Sequence, residues 1–108
     1  MPICMTAHYQ IPKDRLEECR KTVTEFIRYI RANEPGILFY TALQEITDET
    51  RFLHLMVFED QRAVTRHQSS PATRRFVETI YPAAVNPLEF KEHGILGFKA
   101  AADLGEGV

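Results

Sequence analysis

The segment ILFYTALQEI (Ile37 to Ile46), TDET (Thr47 to Thr50) and RFLHLMVF (Arg51 to Phe58) decides the fold. Two apolar runs rich in β-branched and aromatic residues flank four polar ones, a length and composition that predict an antiparallel hairpin. One parity of the two strands carries Leu38, Tyr40 and Ala42 with Phe52, His54, Met56 and Phe58. The other carries Ile37, Phe39 and Leu43 with Leu53, Leu55 and Val57. Both faces are apolar, whereas a sheet with water on one side alternates apolar with polar residues. Each face therefore needs a cover.

Upstream, Ile3 to Ile11 alternates with Ile3, Met5, Ala7, Tyr9 and Ile11 on one side, which predicts another strand. From Pro12 the period becomes helical: Leu16, Cys19, Val23, Phe26, Ile27 and Ile30 form one stripe, charged residues fill the rest, Asp14 with Glu17 reads as a capping pair, and Asn33-Glu34-Pro35-Gly36 closes the helix. Downstream, Asp60 to Gln68 reads as a short polar helix. Ser70-Pro71 supplies an N-cap and a first-turn proline for a helix that buries Phe76, Val77 and Ile80, and Pro82 and Pro87 end the helical region. Leu88 to Leu96 is a weaker last strand.

The order β-α-β-β-α-β with an antiparallel sheet is the ferredoxin-like α+β arrangement, in which the helices cover one face of the sheet. The chain has no spare element for the other face. A second copy is the simplest cover, which predicts a homodimer with a barrel-like interior built through Ile37, Phe39, Leu43, Leu53, Leu55 and Val57. The expected domain is 1–98, followed by a flexible or partner-draped tail, 99–108.

At 108 residues the chain has the size of one domain, and its 44% hydrophobic and 26% charged content is that of a globular protein. A net charge of −2 leaves no excess of Lys and Arg for a phosphate backbone, so nucleic acid is not expected as a partner. The N-terminus has no basic stretch followed by an apolar run, and no segment is apolar enough for a membrane span, so a cytoplasmic protein is expected. Cys4 and Cys19 read as buried, reduced thiols. Ser69 and Ser70 lie outside any Gly-x-Ser-x-Gly context, and the glycines form no phosphate loop or dinucleotide fingerprint. His8, His54, His67 and His93 lack metal-ligand spacing, so no metal site is expected.

What remains is a set of polar-tipped and aromatic residues assigned to the helix-covered face: Tyr40, His54, Met56 and Phe58 from strands, His67, Phe76 and Tyr81 from helices. Aromatic walls suit a flat organic molecule, while a tyrosine hydroxyl and an imidazole can fix a phenol or quinone oxygen and move its proton. His67, His54 and Tyr40 are the candidate catalytic residues; Met56, Phe58, Phe76 and Tyr81 would bind substrate. The competing reading is a packed core whose polar tips are satisfied internally. RNA-recognition domains share the element order but keep an open face with stacking aromatics and basic residues, which the Leu- and Val-rich face here lacks.

The run Glu34-Pro35-Gly36 with Tyr40, then Phe52 to Asp60, Ala63, His67 and Ser70-Pro71 resembles the antibiotic biosynthesis monooxygenase family, whose loose pattern is EPG-x3-Y, then F-x5-[WF]-E-D-x2-A-x3-H-x2-S. The likeness extends from about Ile3 to Leu96. It implies ferredoxin-like subunits paired as dimeric barrels, with a pocket between sheet and helices. It also implies a cofactor-independent oxygenase that oxidises a flat phenolic or quinol-type molecule with O2; the alternative is a non-catalytic dimeric small-molecule-binding or stress-response module. His67 falls on the motif histidine, Tyr40 on the strand tyrosine and Phe58 on the aromatic wall position. Met56 stands where many members carry a strand glutamate. Val77 stands where the haem-degrading branch of relatives has an iron-ligating histidine, so haem degradation is not implied.

Overall fold

The computed structural model describes residues 2–99. The order is β1 (Ile3–Gln10), a 3-10 turn at Lys13–Arg15, α1 (Leu16–Asn33), β2 (Ile37–Gln44), β3 (Arg51–Phe58), α2 (Gln61–Gln68), α3 (Pro71–Ala83) and β4 (Glu89–His93). The sheet is antiparallel with strand order β2-β3-β1-β4. It is the ferredoxin-like arrangement expected from the hairpin and the helical stripe. Expected and observed strand ends differ mainly at β4, which stops at His93 and is exposed throughout.

The helices pack on the face that carries Ala7, Tyr9, Phe52, Met56 and Phe58. Two apolar clusters form there. One gathers Tyr9, Ile11, Leu16, Cys19, Phe26, Ile30, Phe52, Phe76 and Ile80 between the sheet, α1 and α3. The other gathers Ala7, Met56, Phe58, Ala63 and Val64 under α2. Ile37 and Tyr40 touch both clusters and lie at their junction.

That placement corrects the strand parity at the start of β2. The β2–β3 register shifts between Ile37, which opposes Phe58, and Phe39, which opposes Val57. One extra residue in a strand reverses the facing of everything before it. Ile37 therefore turns into the helix-covered core rather than onto the open face, and Leu38 is turned out and 57% exposed. Phe39 and Leu43 remain on the open face and exposed, with Leu53 and Leu55 half-buried and Val57 buried. The chain itself also reaches part of this face, because the Phe98 ring meets Phe39 edge-on with centroids 5.7 Å apart. Of the tail expected at 99–108, residues 100–108 lie outside the described residues.

Local signals hold at two of the three helix starts. Asp60 accepts from the Ala63 amide and Ser70 from the Thr73 amide, with Pro71 in the first turn of α3. At α1 the expected Asp14 cap is not formed: Pro12 launches a 3-10 turn and Arg15 precedes the helix without a side-chain cap. The fixed proline φ begins the turn one residue too early for Asp14 to occupy the cap. Pro82 lies in the final turn of α3 rather than beyond it.

Candidate functional site

His54 is the centre of the helix-covered face. Its direct cross-strand neighbours are Ala7 on β1 and Ala42 on β2, the smallest side chains that a strand can place there. Longer residues one step away on the same face, Tyr9 opposite Phe52 and Tyr40 opposite Met56, reach diagonally into the space the alanines leave. The Tyr9 hydroxyl lies 2.7 Å from His54 Nε2 and the Tyr40 hydroxyl 2.7 Å from His54 Nδ1. Both ring nitrogens are satisfied in a side chain only 1% exposed.

Burial dominates the electrostatics of this array. It pulls the imidazole of His54 down to about 3, the nearby His67 adding to the effect, so His54 is neutral near pH 7. Burial also raises the Tyr9 and Tyr40 hydroxyls far above the ordinary phenol range, and pushes the Cys19 thiol beside Tyr9 up to about 11. A neutral imidazole offers one N–H and one lone pair, so one tyrosine donates to it and the other accepts from it.

His67 comes from the last turn of α2. Its Nδ1 lies 2.9 Å from Glu34 Oε1 at the end of α1, and both side chains are 10% exposed. A carboxylate at Nδ1 holds that nitrogen as the N–H donor and leaves the Nε2 lone pair as a proton acceptor. The turn that delivers Glu34 is tightly built: the Gly36 carbonyl accepts from the Glu59 amide at 2.8 Å, and Ile37 N donates to the Glu34 carbonyl at 3.1 Å. Glu34-Pro35-Gly36 and His67, distant in sequence, meet in one contact.

Aromatic rings join the two polar groups. Phe26 lies 5.7 Å from Tyr40, 5.6 Å from His67 and 4.7 Å from Phe76, measured between ring centroids. Phe58 faces His67 at 5.5 Å, Phe76 faces His54 at 5.5 Å, and Tyr40 is 6.2 Å from His67. Met56 and Phe58 are buried in the adjoining apolar cluster. The structure thus brings together Tyr40, His54, His67, Phe58 and Phe76, with Met56 in the wall. Tyr81 stands apart on α3, 42% exposed.

A cavity of about 90 Å³ between α1 and α3 is lined by Phe26 and Phe76, so these two rings separate it from the histidines. It is smaller than the several hundred Å³ of an ordinary ligand site. A wider cleft of about 370 Å³ opens at the other end of the sheet, bordered by His8, Tyr9, Glu45, Arg51, Phe52 and Glu89 among others. Among the described residues, no three His, Cys, Asp or Glu side chains gather as a metal site.

Sequence reasoning omits three members of this site. Tyr9 reads as an ordinary core position, Glu34 as part of a helix stop and Phe26 as one residue of an apolar stripe. A signal for Glu34 lies in the motif that contains His67. Tyr9 shares a face and a neighbouring register with His54, but only the sheet order reveals that.

The family model described as antibiotic biosynthesis monooxygenase matches residues 2–79, and the chain belongs to this family. The uncharacterised protein sll1783 of Synechocystis sp. is 28% identical over 94 residues, which are 87% of this chain; the chain spans 63% of that relative's length. Among solved structures, a Bacteroides thetaiotaomicron protein bearing the family name superposes with TM-score 0.86 at 24% identity, covering 93% of this chain and 96% of that one. Rv0793 of Mycobacterium tuberculosis superposes with TM-score 0.82 at 15% identity, covering 93% and 100%. At these identities the structural likeness is one of fold. No helix among the described residues is long and apolar enough to cross a membrane.

Proposed function

We propose that this chain is a homodimeric oxygenase that oxidises a flat phenolic or quinol-type small molecule with O2 and needs no cofactor of its own. The observation that carries the reading is the convergence of the Glu34-paired His67 and the Tyr40–His54 pair on one aromatic cluster beneath the helices.

His67 is the base. Its Nε2 takes the phenolic proton, and Glu34 steadies the cation that results. His54 does not compete for this role, because both its nitrogens are engaged and burial opposes its protonation. The phenolate transfers one electron to O2, and the two radicals combine to form a carbon–oxygen bond. The resulting peroxide takes up a proton and loses water, leaving a carbonyl on the ring. One oxygen atom enters the product and one leaves as water. All four electrons come from the substrate, so a quinol gives a hydroxyquinone without an external reductant. Tyr40 orients the substrate oxygen. Phe26, Phe58, Phe76 and Met56 keep water from the anion and the peroxide.

The second copy belongs on the open sheet face, where Phe39 and Leu43 are exposed and Leu53 and Leu55 half-buried. Tyr81, at the exposed edge of α3, serves in this reading only as an outer contact for substrate.

The alternative, a non-catalytic dimeric binding or stress-response module, draws support from the closed packing around His54 and the small cavity. Oxygen uptake with a panel of hydroquinones and anthrones decides between them. The oxygenase reading expects one O2 consumed per product formed and loss of uptake in a folded His67→Ala variant. Uptake no faster in the wild type than in a folded His67→Ala, His54→Ala double variant leaves the binding module as the function.

A further inference from the structure

The cavity of about 90 Å³ between α1 and α3 has an apolar floor and two oppositely charged rims. Glu25, Phe26 and Tyr29 line it from α1, and Ala72, Arg75 and Phe76 line it from α3, each set lying within about one turn of one helix face. Phe26 and Phe76 are buried, with ring centroids 4.7 Å apart. Ala72 is too short to fill the space beside them. Glu25 and Arg75 are exposed and stand on opposite walls, and neither forms an ion pair among the described residues.

We propose that this groove is a binding site for a single-ring aromatic carboxylate that carries a hydrogen-bond donor at its far end. The ring lies on Phe26 and Phe76 with Tyr29 as a wall. The Arg75 guanidinium donates to the ligand carboxylate, a pairing for which its planar fork is suited. The Glu25 carboxylate accepts from the donor at the other end. Packed helices lie about 8–10 Å apart, axis to axis, so groups on the two rims are separated by about the length of one substituted ring.

Size and charge together narrow the ligand class. A volume of about 90 Å³, open to solvent on one side, seats part of a single ring and is too small for a fused ring system. A neutral ring leaves Arg75 without a partner, and an anion at both ends meets the Glu25 carboxylate. The site is separate from the histidine cluster, so it does not rest on the oxygenase reading. It shares a wall with that cluster, however, because Phe26 also packs on His67 and Phe76 on His54.

Titration of the full chain with 4-hydroxybenzoate, benzoate and phenol, followed by ¹H–¹⁵N correlation, tests it. The first probe is expected to give saturable shifts centred on residues 22–29 and 71–76, with a Kd of about 1 mM for so small and open a site. Arg75→Gln, a change at an exposed side chain, should weaken 4-hydroxybenzoate about tenfold or more while leaving phenol unaffected. Glu25→Ala should erase the preference for 4-hydroxybenzoate over benzoate. Shifts that do not saturate, that centre elsewhere, or that are unchanged in Arg75→Gln overturn the proposal. Saturable binding in the groove without oxygen uptake by any quinol or anthrone sinks the oxygenase reading alone, whereas oxygen uptake without such binding sinks the groove alone.

Discussion

Gly36 and Ala63 approach so closely that a Cβ placed on Gly36 would lie 2.8 Å from the Ala63 Cβ and 2.9 Å from Arg66 Nη2. The arginine tip can swing away, but the alanine methyl is fixed to the α2 backbone. This contact seats α2 against the turn that carries Glu34, and so sets the distance at which Glu34 meets His67.

Gly36→Ala should therefore destabilise the fold by about 1–3 kcal/mol, the usual cost of overpacking. Urea denaturation checks this. Adding Ala63→Gly should recover part of the loss despite its own helix cost of about 1 kcal/mol. An unchanged midpoint in Gly36→Ala would mean that α2 shifts freely.

The Glu34–His67 contact should behave as a coupled unit. His67→Ala leaves a buried carboxylate without its donor and is expected to cost about 2–4 kcal/mol. In a double-mutant cycle with Glu34→Gln, the two losses should fall short of additivity by about 1.5 kcal/mol or more. Additive losses would show that the contact contributes nothing to stability.

His54 gives a pH dependence with a definite sign. Its native value is lowered to about 3 from an ordinary 6.5. Between these limits the unfolded chain binds a proton that the folded chain refuses, so stability rises with pH across this window and levels off above it. Equivalently, stability is lost as pH falls from 6.5 toward 3, at up to about 1.4 kcal/mol per pH unit. Comparing the wild type with His54→Gln in denaturant titrations at several pH values isolates the effect. Their stability difference should move in favour of the wild type as pH rises through the window, and parallel curves would contradict the assignment.

The open sheet face supplies a fourth test. Leu43 is 49% exposed and opposes the half-buried Leu53. Leu43→Glu is expected to shift sedimentation at micromolar concentration from a dimer to a 12.5 kDa subunit while far-ultraviolet dichroism is retained. A wild type that sediments as a single subunit would remove the dimer from the functional reading.

Much of the architecture is legible in periodicity because both repeat lengths are cleanly expressed: two residues in Arg51–Phe58, three and four in Leu16–Asn33. The failures are local and physical. Ile37 is assigned to the wrong face because a register irregularity is invisible to strict alternation, and Asp14 to a cap because the proline-launched 3-10 turn competes for the same residues. The site is only half legible. His54, Tyr40 and His67 announce themselves as polar tips on an apolar face, but the partners that define their chemistry, Tyr9 and Glu34, come from strand order and a turn. Tyr81 fits the helical spacing yet falls at the exposed edge of α3, where a stripe widens beyond the core.

The two histidines stand on elements of unequal durability. His54 belongs to β3, flanked by hydrogen-bonded strands on both sides, the region of a small domain whose amides exchange only when the whole chain opens. His67 lies in the last turn of an eight-residue helix with an exposed outer surface, which can fray while the sheet persists. Warming should thus release the imidazole held by Glu34 before the one clasped by tyrosines, so any chemistry that depends on α2 would fade ahead of the melting transition itself.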